Sequence, residues 1–79
     1  MMLSSLKAGQ QGVILRTGGT KAMQRRLLDM GLTPGSRVQL IGTALLGDPM
    51  ILRVRGVRIS LRKALARQID VQTGGDKGS

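Results

Sequence analysis

The chain has no cysteine, no histidine and no glutamate among its 79 residues. Without cysteine it can form neither disulfide bonds nor thiolate metal sites. Its only carboxylate side chains are four aspartates that are scattered along the sequence. Catalytic acid–base groups and ligands for iron or zinc usually come from histidine, glutamate or clustered carboxylates. We therefore predict a protein that is not an enzyme and that has neither a cofactor site nor a metal site.

Aromatic residues are also absent, so any core must be built from Leu, Ile, Val, Met and Ala. A chain of this length makes one small domain with a thin core. No apolar run approaches the ~20 residues that a membrane-spanning helix needs. The first ten residues, MMLSSLKAGQ, lack the basic and long apolar regions of a signal peptide. These features predict a cytoplasmic location.

Short β-rich segments make up most of the chain, at 12–16, 36–41, 50–61 and 68–72. The third of these is long enough for two strands. An apolar periodicity over 20–30 predicts an α-helix, and 62–67 predicts a single helical turn before the last strand. We therefore predict a mainly β fold, a small and partly open barrel of about five strands that covers residues 1–72. The polar, Gly-rich segment 73–79 is predicted to be a disordered tail.

The predicted helix has recognisable start and stop signals. Thr20 is a suitable N-cap, and Met23, Leu27 and Met30 form an apolar stripe that Leu28 widens.

Directly after the helix, Gly31 suits the left-handed position, with Leu32 folding back on Leu27. Pro34-Gly35 then fits the centre of a type II turn, so the chain reverses sharply into the next strand.

Residues 50–61 (MILRVRGVRISL) predict a β-hairpin with Arg55-Gly56 as its two-residue loop. In this register every pair on one face is apolar: Val54 with Val57, Leu52 with Ile59, and Met50 with Leu61. The other face places Arg53 opposite Arg58 and Ile51 opposite Ser60. The sequence therefore predicts a basic outer face that is formed by Arg53, Arg55, Arg58 and Arg62. This face is either solvated or directed at an anionic partner.

Three motifs in fixed order carry a family resemblance. RRLLDMGLTPGSRV at 25–38, LGDP at 46–49 and RVRGVRISLRKALARQIDV at 53–71 closely resemble the ferrous iron transport protein A family, as does the opening LSSLKAGQQGVI. The resemblance implies an SH3-like β-barrel. It also implies a cytoplasmic accessory protein for a bacterial ferrous iron permease, the membrane GTPase called ferrous iron transport protein B.

The net charge of +9 and the shortage of metal ligands favour an adaptor over an iron carrier. We predict that the helix and the LLGDP loop contact the permease at the inner membrane face. The basic face would help the protein to approach anionic lipid or an acidic domain. The candidate contact residues are Met23, Arg25, Arg26, Leu27, Asp29, Met30, Leu45, Leu46 and Asp48.

For the two loop leucines and for Asp29, a structural role is the alternative to a partner contact. Leu45 and Leu46 either tuck under the barrel or form an exposed docking knob. Asp29 lies in the last helical turn, where the helix dipole disfavours negative charge. We expect Arg25 or Arg26 to neutralise it, and the alternative is that it faces a partner.

Two other function classes fit the composition. A basic small barrel that binds nucleic acid would explain the charge, but it normally needs aromatic residues on which bases stack. A dimerising, metal-linked regulatory domain, which would form a weak homo-oligomer, is the second. A GTPase-activating arginine is conceivable, but nothing in the sequence selects one.

Overall fold

A computed structural model describes residues 1–73. Its elements, in chain order, are a 3₁₀ turn (Leu3–Ser5), β1 (Gln11–Thr17), α1 (Lys21–Asp29), β2 (Arg37–Thr43), a second 3₁₀ turn (Leu45–Gly47), β3 (Met50–Val54), β4 (Val57–Leu61), α2 (Lys63–Ala66) and β5 (Ile69–Gln72). Apart from residue 73, the segment predicted to be a disordered tail lies outside the described residues.

The five strands form one antiparallel sheet in the order β4-β3-β2-β1-β5. The inward side chains of all five strands meet in a single apolar cluster, which also receives one or more residues from each helix. A sheet whose strands share one core on one face must curl around it, as in a small partly open barrel. The predicted fold class is therefore confirmed.

The β3–β4 hairpin has the predicted register at all five pairs, from Met50 opposite Leu61 to Val54 opposite Val57. Its loop residues, Arg55 and Gly56, have φ of 55° and 79°. Positive φ at both positions is the signature of the type I′ turn, whose twist matches that of the flanking strands. Arg53 does lie opposite Arg58, so the sheet carries a like-charge pair on its outer face.

Helix α1 is bounded by the predicted signals. The Thr20 hydroxyl accepts a hydrogen bond from the Met23 N–H at 3.1 Å. At the other end, the Leu32 N–H donates to the Leu27 carbonyl and the Gly31 N–H to the Leu28 carbonyl, both at 2.9 Å. Together with the φ of 81° at Gly31, these two bonds make a Schellman motif.

The reversal after α1 is also as predicted. The Ser36 N–H donates to the Thr33 carbonyl at 2.9 Å, and Gly35 has φ of 91°. This is the type II geometry that Pro34-Gly35 favours. The turn delivers the chain into β2 with Val38 and Leu40 facing the core.

The N-terminal segment has a structural role that the sequence analysis did not foresee. Leu3 and Leu6 are buried in the core, and the Met1 carbonyl accepts the Val71 N–H at 2.7 Å. The segment thus packs beside β5 and completes the core. None of the helices in residues 1–73 is long and apolar enough to cross a membrane.

Candidate partner-binding surfaces

The stripe on α1 that was predicted to contact a partner faces mostly inward. Leu27 is fully buried, and Met23 and Met30 are half-buried against the core. Leu27 therefore cannot touch a partner directly, and its assignment as a contact residue is wrong. Its neighbour Leu28, which was expected to widen the buried stripe, is instead 62% exposed. The apolar contact that α1 offers to a partner is Leu28.

Leu28 lies in a shallow depression of about 330 Å³ between α1 and the turn that follows it. Pro34 contributes further apolar surface above the buried Leu32, and Arg25 and Lys21 supply positive charge. An apolar patch with cations at its rim is the usual composition of a protein–protein contact.

Asp29 does not form the ion pair that was expected for it. Within residues 1–73, the one side-chain pair of opposite charge closer than 4.0 Å is Arg16 with Asp70. Asp29, Arg25 and Arg26 are all exposed, and they line a second shallow depression of about 390 Å³. The ion pair expected between Asp29 and Arg25 or Arg26 is therefore wrong, and all three side chains face solvent.

The loop between β2 and β3 holds its two leucines away from the protein. Leu45 is 90% exposed and Leu46 is 102% exposed, which excludes the alternative in which they tuck under the barrel. The Ala44 N–H donates to the Pro49 carbonyl and the Gly47 N–H to the Ala44 carbonyl, both at 3.0 Å. These bonds close the loop, and the leucines form a knob at its tip.

Asp48 fixes this loop to the rest of the fold. Its Oδ1 accepts the backbone N–H of Lys63, the first residue of α2, at 3.0 Å. A carboxylate at the start of a helix satisfies a donor that has no partner within the helix. Asp48 is half-buried, so its contribution in this structure is to position the knob.

The predicted basic face lies on the outer side of β3 and β4. Arg53, Arg55 and Arg58 are exposed there, and Arg62 is exposed one residue beyond β4. The sequence analysis missed Arg37, which lines a depression of about 300 Å³ together with Arg53 and Arg55. The β2–β3 register, which no local pattern reveals, is what brings Arg37 to this face.

A row of polar side chains crosses this face from strand to strand. Gln11 of β1 lies opposite Gln39 of β2, Gln39 opposite Arg53 of β3, and Arg53 opposite Arg58 of β4. Arg55 donates to the Ser36 hydroxyl at 3.4 Å, and none of these arginines approaches a described carboxylate within 4.0 Å. The face therefore presents uncompensated guanidinium groups, which suit carboxylate or phosphate groups.

The described residues offer little to a metal ion. Among residues 1–73 no three side chains of the types His, Cys, Asp and Glu come together as a potential metal-binding group. The candidate functional features of the described residues are therefore three surfaces: the exposed α1 face, the leucine knob and the basic face.

Comparison with known proteins decides the family. The FeoA domain family matches residues 1–73 of the chain. The chain belongs to the FeoA domain family. The resemblance seen in the sequence is therefore confirmed, and FeoA proteins are components of ferrous iron transport.

One curated relative joins a FeoA domain to a transporter. It is the Fe(2+) transport protein A/Fe(2+) transporter FeoB fusion protein of Porphyromonas gingivalis, which is 36% identical over 72 residues. The match covers 91% of this chain but only 8% of the fusion protein. The chain thus spans a small fraction of the length of this relative, which by its name also includes the transporter FeoB.

Solved FeoA structures have the same fold. FeoA of Chlorobium tepidum superposes with a TM-score of 0.88 at 35% identity, covering 99% of this chain and 75% of that one. FeoA of Stenotrophomonas maltophilia, solved as a zinc complex, superposes with a TM-score of 0.78 at 26% identity, covering 91% and 89%. That protein is described as a prokaryotic SH3 domain protein and a candidate activating factor for ferrous iron transport. The predicted SH3-like fold is therefore confirmed.

Proposed function

We propose that this FeoA-family protein is a non-catalytic regulatory adaptor that binds a bacterial ferrous iron permease of the FeoB type. The observation that supports this most directly is the Porphyromonas gingivalis fusion, in which a related domain and the transporter share one polypeptide. A domain that is fused in one organism commonly binds the same partner as a separate chain in another. The proposed binding takes place at the cytoplasmic face of the membrane.

The exposed face of α1 is the proposed contact with the permease. Leu28 supplies an apolar anchor beside Arg25. The neighbouring depression is lined by Arg25, Arg26 and Asp29, whose charges have no ionic partner within residues 1–73. Charged groups at the rim of an apolar contact set its orientation and its selectivity more than its strength.

The leucine knob, Leu45 and Leu46, is the second proposed contact, on the permease or on the anionic lipid beside it. Fully exposed leucines gain roughly 1.5–3 kcal/mol each when they are buried. The Lys63 side chain lies close to the loop, since a Cβ atom added to Gly47 would lie 3.2 Å from the Lys63 Nζ. The ammonium group of Lys63 thus places positive charge near the knob, which favours an anionic surface.

Reversing the charge of α1 tests the permease contact. We expect Arg25→Glu with Arg26→Glu to reduce co-purification of the detergent-solubilised permease by roughly tenfold or more. Lys7→Glu with Arg37→Glu is the matched control, because it makes the same change in net charge elsewhere on the surface. Equal capture by both double variants, with intact thermal unfolding, would exclude the α1 face.

The knob is tested separately with lipid vesicles. We expect the protein to co-sediment with vesicles rich in phosphatidylglycerol, and Leu45→Ser with Leu46→Ser to reduce this binding by roughly tenfold. Leu28→Ser is the control, since it removes one exposed leucine from another surface. Undiminished binding by the knob variant would assign the leucines to a protein contact.

The two rival functions give different outcomes. A nucleic-acid-binding barrel would bind DNA or RNA with an affinity that falls steeply with salt. A dimerising module would change its sedimentation coefficient with concentration, and neither would retain the permease.

A further inference from the structure

Strand β4 lies at an edge of the sheet. Within residues 1–73 it pairs with β3 on one side and with no strand on the other. None of the backbone groups of Val57–Leu61 makes a further backbone bond to the described part of the chain. Such an edge is a template on which another chain can add a strand.

The hairpin register shows which backbone groups point outward. A two-residue loop is closed by a hydrogen-bonded pair, here Val54 with Val57, and such pairs recur at every second position. Ile59 and Leu61 therefore direct their N–H and C=O groups toward β3. Arg58 and Ser60 direct theirs toward the open edge.

The two faces of β4 make different demands on an added strand. On the outer face, Arg58 stands beside Arg53 and has no described carboxylate within 4.0 Å. On the other face, Val57 is 59% exposed and Ile59 is half-buried. An added strand would place acidic side chains near Arg58 and apolar side chains near Val57 and Ile59, because side chains alternate along a strand.

Charge argues against a second copy of this chain as the occupant. Two β4 edges would bring two Arg53–Arg58 pairs together between molecules that each carry a net charge of +9. Like charges that face each other across strands destabilise their pairing. An acidic strand would instead relieve the repulsion between Arg53 and Arg58.

We infer that the β4 edge binds an extended segment of a partner protein in which acidic and apolar residues alternate. The segment adds a sixth strand to the sheet. Its carboxylates pair with the guanidinium groups of Arg58 and Arg53, and its backbone forms hydrogen bonds with the backbone of Arg58 and Ser60. This binding mode does not depend on the identity of the partner. Its test is therefore independent of the test of the permease contact on α1.

A capped eight-residue peptide of alternating glutamate and valine is the probe. Its binding is followed by NMR of the backbone amides at ~0.15 M salt, where long-range charge attraction is screened. The amide signals of Arg58 and Ser60 should show the largest changes. Arg58→Glu should weaken binding by roughly tenfold or more, whereas Arg37→Glu, an equal charge change on β2, should weaken it less than about threefold.

The weaker binding expected of the Arg58→Glu variant would not be caused by unfolding. Arg58→Glu replaces a like-charge pair by an opposite-charge pair with Arg53, so the variant should unfold at the same temperature or higher. A lower unfolding temperature would contradict the register argument.

Two N-methylated peptides separate strand addition from simple charge attraction. One carries N-methyl groups on the glutamate amides and the other on the valine amides. Only alternate amides of an added strand face β4, so one peptide should lose binding by about tenfold and the other should retain it. Equal binding by both peptides, or equal effects of Arg58→Glu and Arg37→Glu, would overturn the proposal. Either result would leave Arg58 as a charge that merely protects the edge from aggregation.

Discussion

At the scale of single residues, Leu46 occupies a position that its side chain does not favour. It has φ of 64°, and only Leu46 and Arg55 among the described non-glycine residues have positive φ. The left-handed region costs an ordinary L-residue about 1 kcal/mol or more, whereas glycine and asparagine tolerate it. Leu46 gains nothing from packing in return, because its side chain is fully exposed. This combination of strain and exposure supports the proposed role of Leu46 as a contact residue.

We predict that Leu46→Asn raises the free energy of unfolding by about 0.5–1 kcal/mol, because asparagine relieves part of the backbone strain and no packing is lost. Urea denaturation measures the change. Leu45→Asn is the control, since Leu45 is 90% exposed but does not have positive φ, and it should stay within about 0.5 kcal/mol of the parent. A fall of more than 1 kcal/mol for Leu46→Asn would show that Leu46 supports the fold.

At the scale of elements, the sequence specified most of the local structure. The hairpin register was predictable because one face of Met50–Leu61 is apolar at every second position, and a slip of one residue would expose that face. The end of α1 was predictable because Gly31 adopts the left-handed conformation without a steric penalty and Pro34 cannot continue a helix. Both predictions depend only on residues that are close in sequence.

Predictions that depend on tertiary packing were less successful. Leu27 and Leu28 are adjacent and chemically identical, so periodicity alone does not show which one faces the sheet. The segment that contains Leu3 and Leu6 has no strong pattern, and its burial follows from packing beside β5. Arg37 joins Arg53 only through the pairing of β2 with β3. The arginines of the basic face that lie on the hairpin were therefore predicted, whereas Arg37 on β2 was missed.

Helix α1 provides a direct test of these burial assignments. We predict that Leu27→Ala lowers the free energy of unfolding by about 2–5 kcal/mol, because it leaves a cavity in a thin core. Leu28→Ala should change it by less than about 0.5 kcal/mol. Chemical denaturation of both variants measures the contrast, and similar losses for the two would contradict the orientation of α1.

At the scale of the whole molecule, the surface combines a large positive charge with a few exposed leucines. The net charge is +9, and the described residues contain one ion pair, Arg16 with Asp70. Interactions that depend on exposed charge weaken as salt screens them, whereas burial of apolar groups such as Leu28, Leu45 and Leu46 persists. Salt therefore separates an adaptor with an apolar contact from a protein that binds polyanions through its charge alone.

The central claim is tested most directly by capturing partners of the tagged protein from nuclease-treated bacterial membranes. The complex is washed at ~0.15 M salt and then at ~1 M salt, where the Debye length falls to about 3 Å. We predict that the ferrous iron permease is retained after the high-salt wash. Loss of the permease in that wash, with nucleic acid recovered when nuclease is omitted, would contradict the adaptor function and favour a nucleic-acid-binding barrel.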